Sequence, residues 1–66
     1  MKIQLNGERR DLAPSATVAD LIAALDLGGR RVAVEVNGSI VPRSQHDQHQ
    51  LDDDDRVELI GAIGGG

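Results

Sequence analysis

Val18, Leu21, Ile22 and Leu25 stand at i, i+3, i+4 and i+7, a spacing that gathers four aliphatic side chains on one face of a helix. Thr17 precedes them as an N-cap, and Asp20 three positions on makes a relative of the Ser/Thr-x-x-Glu capping box. Gly28-Gly29 is the expected stop, since glycine readily takes the left-handed conformation found at many helix ends. A helix with a single apolar face needs a surface to cover. Plain hairpins stacked on one another would leave it without a partner, so the remaining segments must form a sheet beside it.

Those segments read as short strands. Lys2-Ile3-Gln4-Leu5 alternates polar and apolar residues, and Asn6-Gly7 is a hairpin turn dipeptide. A return strand over Arg9 to Leu12, with Leu12 inward, is closed off by Pro14-Ser15. Val32, Val34 and Val36 line one side of a strand from Arg31 to Val36, which Asn37-Gly38 ends. Ser39-Ile40-Val41 is a further short strand, confined to an edge by Pro42. Arg43 to Gln50 is polar and aperiodic, which predicts a loop or one irregular turn, with Leu51 pinning it to the core. After an acidic turn over Asp52 to Asp55, Arg56 to Ile60 forms the last strand, with Val57 and Leu59 inward. This is an α+β order: a small mixed sheet of four to five strands with one main helix on one face. First and last strands side by side at the centre would make the end of the last strand a fixed launching point.

The final residues, Ile60-Gly61-Ala62-Ile63-Gly64-Gly65-Gly66, run from strand into three consecutive glycines. Glycine has no side chain to obstruct a close-fitting channel, and three extended residues reach roughly 10 Å. A terminal carboxylate is ionised at neutral pH and is a poor electrophile until activated, so activation by a nucleotide is one hypothesis. A frayed tail is the other. Chain length predicts one domain over residues 1–66, with a flexible tail at about 62–66.

A domain near this size buries only about 60% of the surface its unfolded chain exposes, so the core is small. There is no Phe, Tyr or Trp, which leaves an aliphatic core and no aromatic platform for stacking bases. Absence of Cys excludes a disulfide, a thiolate zinc site, an iron–sulfur cluster and a cysteine nucleophile. Any sulfur handled here is supplied by another molecule. A net charge of -4 argues against nucleic acid and favours a partner with a basic docking surface. No signal peptide is visible and no apolar run approaches the ~20 residues of a membrane span, so a soluble cytoplasmic protein without membrane contact is expected.

Several segments together resemble one family. Ile3 to Glu8, Ala16 to Ile22, Arg31 to Gly38, Ile40-Val41-Pro42-Arg43-Ser44 and Asp55 to Leu59, followed by Gly64-Gly65-Gly66, are similar to the sulfur carriers of thiamine thiazole biosynthesis over nearly the whole chain. The resemblance implies a ubiquitin-like β-grasp fold and a protein that is a cosubstrate, not an enzyme. It implies that a ubiquitin-activating-enzyme-like adenylyltransferase uses ATP to form an acyl-adenylate on Gly66. A sulfur donor such as a cysteine desulfurase system then makes the thiocarboxylate, and thiazole synthase takes the sulfur. Gly64 and Gly65 would thread the tail into partner active sites, Ile60 and Ile63 are candidate partner contacts, and no bound cofactor or metal is implied. Three features depart from the family pattern: the third terminal glycine, His46 where an aromatic is common, and Asp54 where glycine is frequent. Asp tolerates a left-handed turn, so the fold is not in doubt.

Other features have plainer readings. His46 and His49 are three apart, but no other ligand completes a metal set, and a solvated loop is expected. The Asp52–Asp55 run lacks the alternating ligands of a calcium loop and reads as a solvated turn, with partner docking as the alternative. Arg9-Arg10 and Arg30-Arg31 read as solubility charges at strand edges. Ser15, Ser39 and Ser44 have no His and carboxylate constellation around them. The alternatives to a thiamine carrier are the small subunit of molybdopterin synthase, a ubiquitin-like interaction module, and an RNA-binding β-grasp domain, the last disfavoured by acidity and lack of aromatics.

Overall fold

The computed structural model describes residues 1–28 and 30–61. In chain order these form β1 (Lys2–Leu5), β2 (Glu8–Asp11), α1 (Val18–Ala24), β3 (Val32–Val36), β4 (Ser39–Val41), a short 3-10 turn (Arg43–Gln45) and β5 (Arg56–Gly61). The five strands make one sheet in the order β2-β1-β5-β3-β4. β1 and β5 run parallel at its centre, with Gln4 opposite Arg56 and Leu5 opposite Val57, while every other neighbouring pair is antiparallel. A parallel pair needs a long crossover, and here everything between residues 6 and 55 serves as one.

Two Asn-Gly turns set the register of the hairpins. Asn6 and Gly7 have φ of 49° and 85°, and Asn37 and Gly38 have 52° and 86°. Positive φ at both central positions is the two-residue turn whose twist matches that of paired strands. It forces Leu5 opposite Glu8, so β2 is Glu8–Asp11 and begins one residue earlier than alternation suggests. Leu12 consequently lies just past the strand, half-buried and packed against the core.

α1 is opened by a complete capping box. Thr17 Oγ1 accepts from the Asp20 amide at 3.1 Å, and the Asp20 carboxylate accepts from the Thr17 amide at 2.9 Å. Val18, Leu21 and Ile22 are buried and Leu25 half-buried, as the spacing predicts. The stop differs. The helix ends at Ala24, and Asp26, with φ of 61°, takes the left-handed position expected of Gly28-Gly29. The Asp26 amide donates to the Ala23 carbonyl and the Leu27 amide to the Ile22 carbonyl, each at 3.0 Å, which is the Schellman pairing. Leu27 then packs half-buried against the core, the hydrophobic contact that commonly accompanies this motif, and the helix closes before a glycine is reached.

The core lies between α1 and one sheet face and is wholly aliphatic: Ile3, Leu5, Val18, Leu21, Ile22, Val34, Val36, Val41, Leu51 and Val57. The segment read as an aperiodic loop is held by bonds to distant backbone. The carbonyls of His49 and His46 accept from the Val18 and Ala19 amides at 3.0 and 2.8 Å, satisfying donors that a helix start leaves unpaired. His46 is a correction to the solvated-loop reading. It is only 9% exposed, and its Nε2 donates to the Val41 carbonyl at 3.1 Å, so the imidazole is buried against the fold. His49 is half-buried.

The acidic turn is built into the fold. Asp53 Oδ1 accepts from the Lys2 amide at 2.7 Å, and Asp55 accepts from the Asp52 amide at 2.7 Å and from Asn37 Nδ2 at 3.0 Å. Asp54 has φ of 69°, the left-handed conformation that its short side chain tolerates.

Candidate functional site

Everything that positions the end of β5 converges from its two neighbours. On the β3 side, pairing continues from Val36↔Val57 to Val32↔Gly61. On the β1 side the register stops at Leu5↔Val57, which leaves Leu59 without a backbone partner there. Asn6 supplies one with its side chain: Oδ1 accepts from the Leu59 amide at 2.9 Å, and Nδ2 faces the Leu59 carbonyl at 3.5 Å. The Asn6 amide also donates to the Val57 carbonyl at 2.9 Å, so this turn residue prolongs the edge of β1 along β5. Asn37 repeats the device at the start of β5, its Oδ1 accepting from the Arg56 amide at 2.9 Å.

Gly61 is the last described residue, and its φ is 101°. A Cβ built there would lie 3.3 Å from the Arg31 carbonyl oxygen, so a side chain would be both strained and crowded. The sequence pattern predicts Asn6 as a turn residue and the last strand as ending at Ile60, whereas β5 includes Gly61. A glycine inside a strand pattern does signal close approach of another backbone, which was the available clue to Gly61. Nothing local marks the contact of Asn6 with Leu59, 53 positions away.

Beside this exit the open face of the sheet carries Ile60 at 52% exposure and Ile40 at 62%. Ala33 lies opposite Ile60, and Glu35 lies between Ile40 and Glu58 in register. Ile60 is therefore open to solvent beside the end of β5. Ile63, Gly64, Gly65 and Gly66 lie outside the described residues. Among the described residues, no group of three His, Cys, Asp or Glu side chains is placed to hold a metal ion, and no helix is long and apolar enough to cross a membrane.

One helix over a five-stranded mixed sheet, with the last strand parallel to the first at the centre, defines a ubiquitin-like β-grasp protein. The crystal structure of the thiamine biosynthesis protein ThiS from Geobacter metallireducens is similar throughout, with a TM-score of 0.83, 33% identity and full coverage of both chains. The sulfur carrier protein ThiS of Escherichia coli strain K12 is 36% identical over the full length of both. Residues 3–66 match the ThiS family. The chain belongs to that family. It is also 44% identical over 66 residues to a thiazole synthase of Paramagnetospirillum magneticum and 38% to one of Magnetococcus marinus. In both cases it spans about a fifth of the relative's length, the match covering 20%.

Proposed function

We propose that Gly66 is the residue that carries sulfur. Its carboxylate attacks the α-phosphorus of ATP on a ubiquitin-activating-enzyme-like adenylyltransferase, and pyrophosphate leaves. The outer sulfur of a persulfide on a donor such as a cysteine desulfurase system then attacks the acyl carbon, AMP departs with the bonding electrons, and a second thiol cleaves the resulting acyl disulfide, forming a new disulfide with the donor and leaving the thiocarboxylate. Thiazole synthase receives that sulfur. Gly64 and Gly65 thread the tail into both partners, and Ile60 and Ile63 contact them.

The observation that carries this reading is the central placement of β5, between β1 and β3, in a ThiS-family chain whose glycines follow that strand in sequence. Five residues follow Gly61, and five residues in fully extended form span at most about 18 Å, the reach this reading needs. The matches to proteins named thiazole synthase support that enzyme as the acceptor.

Intact-mass spectrometry after incubation with an activating enzyme, ATP and a sulfide source tests the proposal. A gain of about 16 Da, oxygen replaced by sulfur, is expected, and deleting Gly66 should abolish it. No gain, with an enzyme active on another carrier, would reject it.

A further inference from the structure

We infer that Asn6 is a positioning residue for activation: its carboxamide holds Leu59 and so sets the position from which the tail leaves the sheet. The inference rests on the carrier reading above. Beyond Leu5↔Val57, β5 has a strand partner only on the β3 side, and a strand paired along one edge frays more readily than one paired along two. The 2.9 Å bond from the Leu59 amide to Asn6 Oδ1 restores the second edge two residues before Gly61. The end of β5 is the point from which the following residues depart, so a bond that fixes Leu59 narrows the range of positions from which they do so. Loss of the bond leaves the exposed docking face intact and widens the range of positions from which the tail departs.

The contact separates cleanly from the turn. Gly at position 6 accepts the observed φ of 49° without strain, so Asn6→Gly removes the carboxamide while keeping the hairpin backbone. Asn6→Asp keeps an oxygen to accept from the Leu59 amide. Asn37→Gly is the control, because it removes side-chain contacts at the opposite end of β5, the bond from the Arg56 amide and the bond to the Asp55 carboxylate.

The test combines amide hydrogen exchange with steady-state kinetics of thiocarboxylate formation by an activating enzyme, ATP and sulfide, all below the unfolding transition. In Asn6→Gly, exchange of the Leu59 amide should accelerate by about tenfold while Val57 stays protected, kcat should fall about fivefold, and KM should stay within about twofold, the scale of one lost hydrogen bond. Asn6→Asp should recover most of the kcat. Unchanged Leu59 exchange, an unchanged kcat, or an equal kcat loss in Asn37→Gly would each overturn the positioning role. A parent protein that gains no sulfur defeats the carrier reading itself, whereas an activated parent with an equally active Asn6→Gly variant defeats the positioning role alone.

Discussion

The side chain of Asn6 grips the backbone of Leu59 across the end of β1, with Oδ1 2.9 Å from the amide nitrogen. Asn6 thus has two tasks, a positive-φ turn and a strand extension. Asn6→Ala fails both, since alanine disfavours the left-handed turn and has no acceptor. It should destabilise the domain by about 1–3 kcal/mol in urea unfolding, more than Asn6→Gly, which loses only the hydrogen bonds.

His46 is buried and donates to the Val41 carbonyl. Removing it leaves a cavity and a buried carbonyl without its donor. His46→Ala should cost about 2–4 kcal/mol, read as a lower urea midpoint. His46→Phe restores volume but not the bond, and its loss should be smaller, about 1–2 kcal/mol.

Asp26 ends α1 at φ of 61° without being glycine. Asp26→Ala should lower stability by about 1 kcal/mol, because a Cβ without a local hydrogen-bonding group gains nothing from the left-handed region. For a domain of this size that corresponds to a melting temperature lower by about 4–8 °C, measurable by circular dichroism.

Ile60 lies on the open sheet face at 52% exposure, so Ile60→Asp removes little buried area. The expected outcome is unfolding stability within about 0.5 kcal/mol of the parent. Activation should show a KM raised about tenfold or more, because the charge must be desolvated when a partner closes over that face.

Gly65→Val should leave the unfolding transition unchanged, also within about 0.5 kcal/mol, because the substitution replaces none of the core residues named above. A β-branched side chain in the threading segment should abolish the gain of about 16 Da, the mass of a sulfur-for-oxygen exchange, expected of the parent protein. Activation of this variant at the parent rate would sink the threading role.

What could be seen in the chain was whatever depends on neighbours in sequence. The capping box at Thr17, the apolar face of Val18, Leu21 and Ile22, the alternation of Val32, Val34 and Val36, and the Asn-Gly turns each follow from local geometry, and together they define one helix on a small sheet. Resemblance in the motif segments supplied the family. Two local readings failed where a distant group took part: the helix closed at Asp26, with Leu27 half-buried against the core, before Gly28, and the buried His46 donates to the Val41 carbonyl. The grip of Asn6 on Leu59 and the crowding of Gly61 by the Arg31 carbonyl were beyond any local rule. Residue type and spacing determine helix, strand and turn here through short-range torsions and capping. Only the parallel pairing of β1 with β5 decides which distant backbone atoms meet, and with them where and how the last strand releases its tail.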